Sequence, residues 1–383
     1  MISGVAAGHP ATVAAGIEVL EDGGTAADAA VAASLASCVA ETVMTGFLGG
    51  GHAIHWDGRE AWNLDCFVDV PSGASAPPVE LRVPFGEELV HYAVGPGTCA
   101  VPGLPGGLDA LWRRYGRLPW PRLVEPALLL AQAGVTMPPA HAACLAMLAP
   151  VFTISADGRR IYAPAGQPLE AGELLAQPGL ASALELVAAE GADSVYRGSI
   201  ADSLVQVEGI GVTAADLERY APAWVAPKEV AYAGARFLTR AGLSGVPETL
   251  ARLPALRGLA DEERVHALLK ALDGGAHDGH TTNLVTADRD GGVCVLTTSL
   301  GLGTGDFLPG LDLHLNSMLG ELDLITTPLQ PGERMASMMA PSIALGDEGP
   351  VLAIGAAGGS RLRTALVGVA AGILDEGLDA LEA

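Results

Sequence analysis

The sequence predicts an α/β protein in which sheets are covered by helices on their outer faces. Strand-type runs cluster in two places, 52 to 65 and 282 to 355, and helical patterns lie before, between and after them. Aromatic residues make up only 4% of a chain that is 50% apolar and carries 50 Gly and 26 Pro. Large side chains are few, so the core must rely on close backbone packing and many tight turns. At 383 residues, the chain suits one large layered domain or two ordinary ones.

HPATVAAGIEVL, from His9 to Leu20, spaces its apolar residues for a helix, and Asp22-Gly23-Gly24 stops it. Thr25 is a suitable N-cap for AADAAVAASLASCVAE, a helix apolar almost all round and therefore expected to be buried. The glycine run of TGFLGGGHAIHW leads into a strand near 52 to 56, with EAWNLD near 60 to 65 as its hairpin partner. Pro-Gly turns then alternate with helices at about 105 to 115 and 121 to 133. Residues 136 to 230 read as mostly helical, with a short helix capped by Thr213, and AYAGARFLT (231 to 239) reads as a strand. LADEERVHALLKALDGG is charged and helical. Strands follow at 282 to 287, 292 to 298, 340 to 345 and 350 to 355, and then a helix from Ser360 to about Asp375.

A formal charge of −23, from 44 acidic and 21 basic residues, repels phosphate backbones and anionic membranes, which argues against nucleic acid as a partner. The five cysteines (Cys38, Cys66, Cys99, Cys144 and Cys294) are odd in number, far apart and never in CxxC spacing. Reduced thiols in a cytoplasmic protein are expected, with no disulfide framework or zinc site. MISGVAAGHPATVAAG shows no basic region followed by a long apolar stretch, so no secretory signal is expected. The most apolar tract, Ala365 to Leu374, is too short to span a bilayer.

The chemistry concentrates in HDGHTTNLVTADRDGGVCVLTTS, residues 277 to 299. Asp290-Gly291-Gly292 between two alternating runs predicts a hairpin, which brings Thr281, at the start of one strand, beside Ser299, at the end of the other. Threonine pairs at strand ends are ordinarily structural. If the bond before Thr281 is cleaved, however, the new α-amine can serve as general base for the residue's own hydroxyl. Such an amine titrates at about 7.7 to 8.0, a range suited to proton transfer at neutral pH.

Six segments, in order, resemble the γ-glutamyltransferase (γ-glutamyltranspeptidase) family of N-terminal-nucleophile hydrolases. They are HPATVAAGIEVLEDGGTAADAAVAA, ETVMTGFLGGG, VPGLPGGLDALWRRYGRLPWPRLVEPALLLAQAG, TTNLVTADRDGGVCVLTTS, ERMASMMAPSIAL and IGAAGGSRLRTA. The resemblance implies a four-layer αββα sandwich, with two stacked, mainly antiparallel sheets flanked by helices. It implies a single domain, 1–383, that cleaves itself between His280 and Thr281 into subunits 1–280 and 281–383. It makes Thr281 the nucleophile, Ser299 the hydroxyl that orients it, and Gly358 and Gly359 the donors of an oxyanion hole. Glycine suits that role because donors must approach an oxyanion without a Cβ in the way. Ser337 matches the first of two serines that contact substrate.

Several positions depart from the family pattern. Phe67, in LDCFVDVP, falls where the family places the arginine that grips the α-carboxylate of a γ-glutamyl group. Met338 replaces the second substrate serine, Gly301 a hairpin-end asparagine, and Asn283 the histidine that usually follows Thr-Thr. Of an acidic pair, only Glu321 remains, after Gly320. The segment before the nucleophile is contracted to about 240 to 280, and a chain shortened beyond the Gly-Gly-Ser-Arg helix is expected. The losses fall on glutamate recognition, so a smaller or less charged acyl group is expected.

The expected function is thus an autoprocessed amide hydrolase or acyltransferase acting on a small-molecule substrate, without metal or organic cofactor. Its partners would be the two subunits of one precursor, with homo-oligomers possible. The alternative is a non-catalytic, unprocessed homologue that binds or assembles. His277 and His280 around Asp278 read as a solvated or processing loop rather than a metal site. GLGTGDF (301 to 307) reads as a turn bordering the active site, not a dinucleotide loop. His52 and His55, three apart on a strand, should point to opposite faces.

Overall fold

The computed structural model describes residues 3–85, 88–272, 281–325, 327–358 and 362–383. Two antiparallel sheets form its centre. In the larger, the strands lie in the order Gly4–Ala6, Thr282–Ala287, Val293–Ser299, Gly50–Trp56, Ala61–Cys66 and Ala223–Val225. The smaller sheet orders Gly349–Ile354, Ser342–Gly346, Ala235–Thr239 and Lys228–Tyr232.

Strand periodicity decides how these sheets pack, because successive side chains point to opposite faces. Ile54, Val293 and Val295 of the larger sheet meet Leu238, Ile343 and Leu345 of the smaller one in a dry layer between them. Ala53, Leu64, Cys294 and Leu296 point the other way, into the small-residue helix Ala26–Ala40, every residue of which is buried. On the far side, Val230, Phe237 and Ala344 pack against helices Val246–Arg252 and Leu362–Ala371. The result is the expected four-layer αββα sandwich.

The helix starts are set by local chemistry. Thr25 and Asp28 form a reciprocal capping box at the head of Ala26–Ala40, as do Thr213 and Asp216 at Ala214–Arg219. The early helices run Pro10–Glu21, Leu104–Tyr115 and Trp120–Ala133, within a residue of their expected bounds. His52 and His55 do face opposite ways: His52 stacks on Phe67, whereas His55 packs on Tyr115 with ring centroids 4.0 Å apart.

Three expectations need correction. Residues 231 to 239 are not one strand but parts of two, Lys228–Tyr232 and Ala235–Thr239, joined at Ala233-Gly234. Both turn residues have positive φ (49° and 82°), and alanine there disguises a turn that Asn-Gly would have announced. The 136 to 230 region is less purely helical than expected, since it holds the short strand pair Val135–Thr136 and Leu174–Leu175. The final helix is Leu362–Ala371, followed by a π-turn at Gly372–Glu376; Ser360 lies outside the described residues. A ribbon of Val79–Phe85 and Glu88–Val94, which no sequence signal assigned, stands apart from both sheets.

Asp216 ties its helix to the segment after strand Ala61–Cys66, the segment that contains Phe67. Its carboxylate accepts from Ser72 N at 2.9 Å and Thr213 Oγ1 at 2.8 Å. Burial pushes this carboxyl up, but the hydrogen bonds from Ser72 and Thr213 outweigh it and hold the pKa at about 2. A depressed carboxyl pKa stabilises the fold above the unfolded value of about 3.9, and that contribution is lost as pH falls through the folded value. Asp216→Asn should therefore cost about 1–3 kcal/mol at pH 7. In urea titrations at a series of pH values, its deficit against wild type should shrink as pH falls from about 4 to about 2.

Candidate active site

The hairpin Thr282–Ala287/Val293–Ser299 carries the reactive pair. Its turn is closed by Asp288, whose Oδ1 accepts from the N–H groups of Asp290 and Gly292, while Oδ2 accepts from Ala26 N at the helix start. This fixes a register in which Thr282 faces Thr298. Thr281 and Ser299, one residue further along each strand, then line a common pocket.

That pocket also brings in Phe67, Glu321, Ser337, Met338 and Gly358. Seven of the residues singled out from sequence, scattered from 67 to 358, thus share one cavity. Gly301 stands just behind it: a Cβ there would meet Ser317 Oγ at 2.7 Å and Glu321 Oε1 at 3.2 Å. The glycine turn of 301 to 307 borders the site as expected, with positive φ at Gly301, Gly303 and Gly305. His280 and Gly359 lie outside the described residues, as do His277 and Asp278.

A short polar contact in the pocket joins the nucleophile candidate to a backbone donor. Gly358 N–H donates to Thr281 Oγ1 at 2.5 Å, and the hydroxyl lies 3.4 Å from Gly358 O. An amide so aimed can also reach an oxyanion that forms on a carbon bonded to Oγ1. The reason for glycine differs from the one expected. Among the described residues a Cβ at 358 would meet nothing within 4 Å, but φ is +119°, a conformation that other residues rarely adopt. Ser299 Oγ accepts from Gly301 N at 2.9 Å, which holds the second hydroxyl at the strand end.

Phe67 and Met338, expected from the resemblance to replace polar groups, are joined in the pocket by Met318, Leu324, Met339 and Leu362. These four were missed from sequence, because an apolar residue in a pocket wall reads like any core residue. Asn316 was missed as well, although it lies a few residues before Glu321. It is fully buried, donates to Leu48 O and Ala100 O at 2.9 Å each, and accepts from Met318 N. It thereby ties the Met318 wall to the glycine-rich segment.

Two described cations near the pocket are engaged by partners of their own. Arg334 bonds Asp65 Oδ1 at 3.0 Å and Asp69 Oδ1 at 2.5 Å, and lies over the Tyr220 ring. Arg240 donates to the carbonyls of Ser337 and Met339, on either side of Met338. Burial, together with Arg240, holds His52 neutral, far below its usual pKa. Its 3.7 Å contact with Asp65 is therefore no ion pair, and Arg334 is the partner that balances that carboxylate. Among the described residues that line the pocket, Glu321 is the one charged group.

Comparison with known proteins agrees with this fold. A family model described as gamma-glutamyltranspeptidase matches residues 12–273 and 265–383. The glutathione hydrolase proenzyme of Bacillus subtilis (strain 168) is 28% identical over 450 residues, covering 94% of this chain and 75% of that protein. The acylase ACY 1 proenzyme of Pseudomonas sp. (strain V22) is 26% identical over 459 residues, covering 99% of this chain and 80% of that protein. Cephalosporin acylase from Bacillus halodurans shares the fold, with a TM-score of 0.79 at 24% identity over 100% of this chain and 83% of that one. Gamma-glutamyltranspeptidase from Pseudomonas nitroreducens, solved with L-DON, gives a TM-score of 0.56 at 27% identity over 71% of this chain and 79% of that one. With its sandwich fold and a family match that spans both ends of the sequence, the chain belongs to the gamma-glutamyltranspeptidase family.

Proposed function

We propose that the protein is a self-cleaving amide hydrolase or acyltransferase in which Thr281 is the nucleophile and the acyl donor is not a standard γ-glutamyl compound. The observation that carries this reading is the Gly358 N–H held 2.5 Å from Thr281 Oγ1 inside a pocket. Cleavage between His280 and Thr281 frees an α-amine next to that hydroxyl. The amine takes the hydroxyl proton as Oγ1 attacks the substrate's acyl carbon, and the carbonyl oxygen becomes an oxyanion within reach of the Gly358 N–H, with Gly359 the second donor that the resemblance implies. Collapse breaks the C–N bond, the leaving amine receives the proton, and an ester on Thr281 remains. Water or another amine then takes the acyl group. Glutathione hydrolase and acylase relatives both support amide-bond chemistry. Five free thiols fit a cytoplasmic setting.

Specificity follows from the wall. A γ-glutamyl α-carboxylate would enter a pocket lined by Phe67 and Met338, with Arg240 and Arg334 held in bonds of their own. Burying a carboxylate without a partner costs several kcal/mol, which a neutral acyl group avoids.

Intact-mass analysis of the purified protein should give two fragments, with a new N-terminus at Thr281, and a single chain for Thr281→Ala. A wild-type chain that stays whole and resists acylation by p-nitrophenyl acetate would instead support a non-catalytic binding or assembly protein. Among anilide substrates, short neutral acyl groups should exceed the γ-glutamyl group in kcat/KM by about tenfold or more, a difference of about 1.4 kcal/mol. Equal or greater turnover of the γ-glutamyl anilide would refute the specificity assignment.

A further inference from the structure

The nucleophile hairpin has a second polar face, which takes no part in the chemistry above. Thr282 and Thr298 are paired across the hairpin and point away from the pocket, toward the helical layer. Thr282 Oγ1 donates to Glu41 Oε2 at 2.5 Å, and Thr298 Oγ1 lies 2.8 Å from Thr45 Oγ1. The partners are four residues apart, in the turn that ends helix Ala26–Ala40. That turn is closed by Met44 N and Thr45 N, which both donate to Glu41 O. Glu41 is braced in turn by Thr12 Oγ1, which donates to its other oxygen at 2.6 Å. All five side chains are buried, with Glu41 only 1% exposed. Gly8 passes so near that a Cβ there would lie 2.5 Å from Glu41 Oε2.

We propose that Glu41 and Thr45 form a two-point clamp that positions the nucleophile: each holds the residue next to Thr281 or Ser299, from the face opposite the substrate. The inference rests on the reading of Thr281 as nucleophile. A carboxylate buried at this depth is costly, and a threonine pair could be replaced by valines of similar shape. What the polar set supplies is direction. The hydroxyls of Thr282 and Thr12 both donate to this carboxyl group, one to each oxygen, so both are committed to it. This fixes the side-chain rotamer of Thr282 and, through its backbone, the position of Thr281 against Gly358.

The clamp is tested by acylation with p-nitrophenyl acetate, following the p-nitrophenol burst and locating the acetyl group by mass. Glu41→Ala and Thr282→Val should slow acylation by about tenfold or more, with the half-saturating concentration changed by less than about twofold. Thr282→Ser, which keeps the hydroxyl, should restore the wild-type rate. Variants that melt cooperatively near the wild-type temperature and acylate at the wild-type rate would overturn the clamp. If wild type itself is never acylated, the nucleophile reading fails separately. The clamp is then judged by amide hydrogen exchange in Glu41→Ala, expected to quicken about threefold or more at 282–284 but not at 286–287. Unchanged exchange at 282–284 would refute it.

Discussion

The site depends on the register of one β-hairpin. Side chains alternate along a strand, so a slip of one residue would turn Thr282 and Thr298 into the pocket and Thr281 and Ser299 out of line with Gly358. Asp288 guards against this slip. Three backbone N–H groups converge on its carboxylate, two from the turn it closes and one from Ala26 at the head of the buried helix. The same residue therefore sets both the strand pairing and the seat of the hairpin on the layer behind it. The neighbouring strand Gly50–Trp56 extends the pairing with seven residues in register, from Trp56 opposite Val293 to Gly50 opposite Ser299.

The electrostatic design follows from the position of the charges relative to this hairpin. Arg334 and Arg240 lie near the pocket, yet the first is bound by Asp65 and Asp69 and the second by the carbonyls around Met338. They act as struts for the walls. Among the described residues, the cavity is lined by three hydroxyl residues, one backbone donor, one carboxylate and an apolar remainder. Within a protein of net charge −23, such a lining gives little welcome to an additional buried anion.

Much of this was legible in the sequence, where the signal was local or chemically unusual. The Thr25 cap, the Asp-Gly-Gly turn and the alternation of VCVLTTS each follow from short-range rules, and they fixed two helices and the central hairpin. Phe67, Met338 and Gly301 were visible as departures from a pattern, and they converge at the site. What escaped lacked such a mark. The turn at Ala233-Gly234 uses alanine at positive φ, and VELRVPF alternates properly but contains Pro84, which belongs to edge strands. Met318, Met339 and Leu362 are apolar residues whose role depends on distant contacts alone. Glu41 resembled a helix-end carboxylate, and only the fold places Thr282 upon it.

The glycine-rich segment behind the hairpin has a consequence for how the protein can change. A Cβ at Gly49 would lie 2.1 Å from Ser299 O, and one at Gly51 would lie 2.5 Å from Thr297 O, both backbone atoms that cannot swing aside. Gly49 O also receives Gly103 N and Leu104 N, so the segment is pressed from both sides. Variation in this scaffold is thus divided unevenly. The back of the site admits almost no new side chain, whereas the front wall at 67, 318, 338 and 339 is made of separate, replaceable groups. New acyl preferences can arise from substitutions on that wall while the strand that carries Ser299 stays as it is.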